Sequence, residues 1–218
     1  MYFESRAVAG AKLAAELIDK YRWLDSAVLA LDKGGVAVGY QIAVYLHATL
    51  QQLLTETIHI NDESIDYATV MQGGVVAKNP ELTEAQSQYY YGEYAGQLDD
   101  EIRQASSRIN RMLGDGGEVR PEILRGRNVI LVADALNSGT MLEAAVEWMK
   151  PLRTARLILA CPVISVPALD RAHILVDELH ILGVTANFIS TDHYFDNNDV
   201  PDEKMAQRMI DATILGWK

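Results

Sequence analysis

Val129-Ile130-Leu131-Val132-Ala133-Asp134-Ala135-Leu136-Asn137-Ser138-Gly139-Thr140-Met141 carries the most architectural information in the chain. Its first four residues are apolar and β-branched or Leu, which predicts a strand buried on both faces, as in a parallel sheet. The strand delivers one acid, Asp134, to its carboxyl end. A short turn of amide, hydroxyl and glycine residues follows, and helical spacing begins at once over 140–150. The first free N–H groups of that helix then face the turn, the usual way a fold offers donors to an anion. Plain capping of the helix by Asn137 or Ser138, with Asp134 as a turn residue, fits the same residues.

Outward from this segment the rhythm repeats. Ala9, Leu13, Leu17 and Tyr21 recur every four positions, predicting an amphipathic helix. Residues 27–31 read as a buried strand, Asp32-Lys33-Gly34-Gly35 as a turn, 38–46 as a helix and 50–60 as a second strand. Downstream, 156–163 and 179–184 read as strands, 167–176 as a helix and 202–215 as a closing helix. Strands alternating with helices predict an α/β fold, a parallel sheet with right-handed crossovers and helices on both faces.

Residues 61–117 break the rhythm. They hold the cluster Tyr89, Tyr90, Tyr91 and Tyr94, then a helical stripe through Tyr94, Leu98, Ile102, Ala105, Ile109 and Met112, with Asp99 spaced to pair with Arg103. We read a long surface helix preceded by an irregular stretch, ended by Gly114-Asp115-Gly116-Gly117. The tyrosines would pack a small hood or a subunit interface. The expected organisation is one domain over 1–218, with its core at about 1–60 and 118–184 and a variable hood at about 61–117 and 185–200.

The 218 residues carry a formal net charge of −11. That balance argues against a nucleic-acid partner, which needs clustered Lys and Arg. It also means that a phosphate must be held locally, by backbone amides or a placed cation. No apolar run is long enough to span a bilayer and no signal peptide is evident, so we expect no membrane partner and a cytoplasmic location. The lone Cys161 reads as a buried hydrophobe. His47, His173 and His180 lack metal-ligand spacing.

The main turn resembles the ribose-phosphate loop of the type I phosphoribosyltransferases: apolar strand, two acids, two variable residues, a hydroxyl-rich turn with glycine, then a helix. Residues 31–36, Leu31-Asp32-Lys33-Gly34-Gly35-Val36, are similar to the pyrophosphate turn of a bacterial branch of that family. Phe3-Glu4-Ser5-Arg6, Asn79-Pro80-Glu81-Leu82 and His193-Tyr194-Phe195-Asp196 resemble the same branch. The resemblance implies an enzyme that binds phosphoribosyl pyrophosphate with Mg2+ and transfers ribose 5-phosphate to a nitrogenous base, releasing pyrophosphate. Asp134 would hold the ribose, with Lys33, Gly34 and Gly35 on the pyrophosphate. Asn137, Ser138, Gly139, Thr140 and Met141 would wrap the 5-phosphate. Tyr194 would stack a base, Asp196 would hold the metal, and a homodimer is implied. The chain departs from the pattern in that Ala133 stands where the first acid belongs, Met141 replaces a hydroxyl residue, and only His59 offers a basic group after the second strand. A non-catalytic nucleotide or phosphosugar sensor is the alternative.

Overall fold

A computed structural model describes residues 2–60, 65–114, 119 and 121–216. Helix α1 (Arg6–Tyr21) starts at Ser5, whose hydroxyl accepts from the Val8 amide at 3.2 Å. Strand β1 (Ser26–Ala30), helix α2 (Lys33–Leu46) and strand β2 (Thr49–Gln52) follow. Next come β3 (Thr55–Ile60), β4 (Ile65–Met71), β5 (Val76–Lys78), the long α3 (Glu84–Gly114) and the single-turn α4 (Pro121–Leu124). The second half contains β6 (Asn128–Val132), β7 (Ala135–Leu136), α5 (Thr140–Met149), β8 (Arg156–Ser165), α6 (Val166–Leu175), β9 (Glu178–Thr185) and α7 (Glu203–Ala212).

The main sheet is parallel throughout, ordered β2-β1-β6-β8, with β7 and β9 also on β8. After a break at Ala133 and Asp134, β7 continues β6 along β8 in the same register. Alternate strand residues serve opposite faces. Val28, Ala30, Ile130, Val132, Ile158 and Ala160 pack with residues of α1, α2 and α7. Ala27, Leu29, Val129, Leu131, Leu159 and Cys161 pack with α5 and α6. Both faces are therefore dry, and the strands read as continuous apolar runs for that reason. Cys161 lies in this core, its thiol donating to the Val163 carbonyl at 3.1 Å.

Three expectations need correction. Residues 50–60 are not one strand: the chain leaves β2 through Leu53 and Leu54 and enters a second, antiparallel sheet ordered β3-β4-β5. Leu53 donates its amide to Ala30 O at 2.8 Å, and Leu54 exchanges backbone and side-chain bonds with Gln72 at 3.0 and 3.3 Å. Residues 65–71 and 76–78 are strands rather than irregular chain, joined by a 3-10 turn over Gln72–Gly74, and with β3 and α3 they form the hood. Leu98, Ala105 and Ile109 of α3 bury against Ile58, Ala68 and Val70, and Tyr90 and Tyr94 pack beside them. Tyr89 and Tyr91 stay exposed. Finally, Arg103 pairs with Asp100, while Asp99 accepts from the Tyr91 hydroxyl. The glycines expected to end α3 lie outside the described residues, apart from Gly114, where the helix stops.

At the start of β9, Glu178 ties the sheet to α1. It accepts from Lys20, from the Tyr21 hydroxyl at 2.8 Å and from His180 Nε2 at 2.8 Å. Burial opposes the charge on this carboxylate, yet the donors from Lys20, Tyr21 and His180 pull it down to about 2. A carboxyl lowered on folding stabilises above its ordinary range and loses that contribution as acid approaches the lowered value. Glu178→Gln is expected to cost about 1–3 kcal/mol at neutral pH, with the gap to wild type narrowing as pH falls from about 5 to about 3. Denaturant midpoints across that range check this; a gap independent of pH refutes it.

Candidate functional site

Strands β1 and β6 are neighbours and run parallel, so both release the chain at the same edge of the sheet. Each is followed closely by a helix. At the end of β1, Asp32 is the N-cap of α2, and its carboxylate accepts from the Gly35 amide. Lys33, Gly34 and Gly35, expected as a separate turn, are the first turn of that helix. At the end of β6 come Asp134, the short β7 and the turn 137–139, with Gly139 as the N-cap of α5. Gly139 brings no capping side chain, so its own turn leaves the first α5 amides to other acceptors. Two helix N-termini thus sit side by side with Asp134 between them, the arrangement in which open parallel sheets bind ligands.

The glycines allow this closeness. A Cβ on Gly34 would lie 1.9 Å from Asp134 Oδ2, and one on Gly35 would lie 2.5 Å from the Val132 carbonyl oxygen. Only a glycine pair lets α2 rest directly on the end of β6.

Asp134 is buried and does not stand alone. Arg6, only 1% exposed, donates from Nε to Asp134 Oδ2 at 2.6 Å, and its other nitrogens reach Asp192 at 2.7 Å and Asn198 at 3.2 Å. The Phe195 ring lies 4.4 Å beneath the guanidinium. Burial pushes the Asp134 carboxyl upward while Arg6 draws it back. Asp32 is raised well above the ordinary carboxylate range, by burial and then by the charge of Asp134.

Two clefts meet at this acid pair. The larger, about 650 Å³, runs from Lys33 and Gly34 past Arg6 to the hood residues Glu56, Arg108 and Arg111. The smaller, about 150 Å³, is lined by Asn137, Ser138, Thr140 and Met141 and by Thr57 and Asp66 of the hood. Asp32, Asp134 and Thr191 line both. The structure therefore brings together Asp134, Lys33, Gly34, Asn137, Ser138, Thr140 and Met141 around these clefts, with Gly35 packed behind and Gly139 at the helix start.

It does not bring Tyr194 or Asp196 to them. Tyr194 is 5% exposed, packed with Phe3, Phe188 and Phe195, with its hydroxyl bonded to backbone at Asn187 and Ile189. Asp196 is exposed and joins the fold through its amide on Phe3 O; the acids of this loop that reach the site through Arg6 are Asp192 and Asp199. The expected loss at Ala133 also changes meaning. Ala133 faces the α5 and α6 core, and the second carboxyl group of the crevice comes from Asp32, just past the end of the adjacent strand. His59 faces Asp66 at 3.0 Å rather than the larger cleft.

Sequence reasoning missed Arg6, Asp32, Asp66 and Glu81. Arg6 had a signal, since it falls in phase with the buried stripe of α1, where a lone cation needs partners. Asp32 repeats the Asp134 pattern of an acid closing an apolar strand. Asp66 and Glu81 reach the turn only through hood pairing.

Among solved structures, TT1426 from Thermus thermophilus is similar over 100% of both chains, at 24% identity and a TM-score of 0.72. The purine phosphoribosyltransferase of Pyrococcus horikoshii matches over 84% of each chain at 14% identity and a TM-score of 0.43. A Neisseria gonorrhoeae protein with bound ppGpp covers 97% of this chain and 94% of its own, at 13% identity and a TM-score of 0.49. No described helix is long and apolar enough to cross a membrane. The family model for the phosphoribosyl transferase domain matches residues 3–180, most of the chain, and the chain belongs to that family.

Proposed function

We propose that the chain binds phosphoribosyl pyrophosphate and transfers ribose 5-phosphate to a nitrogenous base. The observation that carries this reading is the pair of helix N-termini flanking Asp134, each opening into its own cleft. The smaller cleft is sized for a phosphate, held by the amides and hydroxyls of 138–141. The larger takes the pyrophosphate, with Lys33 and the Gly34 amide on one wall and Arg111 on the other. The ribose then lies between them, against Asp134 and Asp32.

The base nitrogen attacks C1 of the ribose as the bond from C1 to the pyrophosphate oxygen breaks, and the leaving group departs with the electron pair. Positive charge builds on the sugar ring, where the Asp134 carboxylate stabilises it. Lys33 and the α2 amides take up the charge of the leaving group. Magnesium fits as part of the substrate: among the described residues no three acidic, His or Cys side chains form a metal cage, and Mg2+ commonly pairs one carboxylate with substrate phosphates. Asp32, on the rim shared by both clefts, would offer a carboxylate for that contact.

The test is calorimetric titration with phosphoribosyl pyrophosphate and Mg2+, then a screen of bases for pyrophosphate release. Lys33→Ala is expected to weaken phosphoribosyl pyrophosphate about tenfold, the worth of one charge-assisted contact, while sparing ribose 5-phosphate. Equal weakening of both ligands, or no binding by the wild type, overturns the reading. Tight binding with no release from any base identifies the sensor instead.

A further inference from the structure

The donors of the phosphate turn already hold acceptors from the chain itself. The Gly139 amide donates to Glu81 Oε1 at 3.3 Å, and the Ser138 hydroxyl to Asp66 Oδ2 at 3.1 Å, with Thr140 Oγ1 3.1 Å from the same hydroxyl. Both acids come from the hood, Asp66 on β4 and Glu81 just after β5. One buried side chain presents them: Asn79 donates from Nδ2 to the Asp66 carbonyl at 2.7 Å and accepts the Glu81 amide on Oδ1 at 2.9 Å. Its own amide bonds Tyr67 O at 2.9 Å. The Asn79-Pro80-Glu81-Leu82 motif, which the transfer chemistry does not use, thus acts as a bracket aiming two carboxylates at one turn.

We propose that Glu81 and Asp66 are specificity-determining residues that occupy the phosphate subsite as an internal anion until a phosphate monoester replaces them. This rests on the reading of 138–141 as that subsite. Each carboxylate carries one charge and meets one donor of the turn. A phosphate monoester carries close to two charges and three acceptor oxygens, enough to take the Gly139 amide, the Ser138 hydroxyl and the next α5 amides together. It cannot share the small cleft with two carboxylates at contact distance, because like charges there repel. Entry therefore exchanges one anion for another, and the segment carrying Glu81 gives way. A neutral sugar lacks the charge to drive the exchange, so the bracket rejects unphosphorylated ribose.

Inorganic phosphate, ribose 5-phosphate and ribose are titrated into the wild type, Glu81→Gln, Asp66→Asn and Asn79→Ala at constant ionic strength, with thermal melts confirming that each variant folds. All three variants are expected to bind both phosphates about five- to tenfold more tightly, and ribose, which the closed bracket rejects in the wild type, to bind detectably. In the wild type, ribose 5-phosphate is expected to speed hydrogen exchange at the Glu81 and Leu82 amides, which Asn79 otherwise holds. If the wild type binds phosphate but the variants bind it no better, or exchange at 81 and 82 does not rise, the bracket proposal fails alone. If no form binds either phosphate, the subsite reading fails and takes the bracket with it.

Discussion

Arg6→Ala is expected to remove about 3–5 kcal/mol of stability, the range seen when one partner of a buried ion pair is deleted. Asp134 would keep its place beside Asp32 without the guanidinium that pairs it, and the layer above Phe195 would be empty. The sign of the pH dependence follows from the same geometry. Burial already raises both acids, and without Arg6 they rise further. A carboxyl raised on folding favours the native state at low pH and loses that contribution as pH climbs through the raised value. The deficit of the variant is therefore expected to be smaller at about pH 5 than at about pH 8. Urea midpoints at the two pH values check this. A loss under about 1 kcal/mol, typical of exposed pairs, would show that Arg6 is not the support of the crevice.

Gly34→Ala is expected to be the most damaging added methyl group among the described glycines. Its Cβ would fall 1.9 Å from Asp134 Oδ2 and 2.3 Å from Asp134 Cγ. Neither the carboxyl, fixed by Arg6, nor the helix end, fixed on β6, has room to retreat. Overpacking of this kind costs about 1–3 kcal/mol, and the displaced carboxyl adds the strain of a disturbed ion pair. Binding of phosphoribosyl pyrophosphate is expected to fall by roughly a hundredfold, because one shift moves both the acid and the α2 amides. Gly92→Ala on α3 is the matched control. Nothing lies within 4 Å of a Cβ at that position, and alanine in a helix is expected to add about 0.5–1 kcal/mol. Thermal melts of the two variants should move in opposite directions. Equal shifts would refute the packing argument.

Where each element was legible depends on how local its cause is. The strands β1, β6 and β8 announce themselves because both faces are buried, which leaves no polar position to blur the run. The turn at 137–141 was legible because an acid, hydroxyls and a glycine must follow one another in the chain to make it. The split of residues 50–60 was not, since Thr55, Thr57 and His59 alternate in the same period whether a strand lies in one sheet or passes to another; only the partner strand β4 decides. Tyr194 misled because an aromatic in a polar loop has the same composition whether it stacks on a ligand or plugs the layer between α1 and β8. The pairing of Glu81 with Gly139 spans distant parts of the chain, and no short window contains it. Ala133 illustrates a different limit: its own position carries no charge, and only the neighbouring strand β1 shows that Asp32 brings a second acid to the same crevice.

The passage through Leu53 and Leu54 limits how this protein opens. A hood joined by a loose connection can swing as a door. Here the connection is riveted: both leucines are buried, Leu53 is bonded to Ala30, and Leu54 is locked to Gln72. Rotating the hood as a unit would pull Leu53 off Ala30 in β1, so this side serves as a fixed post and leaves the rim at Glu81, held there by Asn79, as the easier side to part.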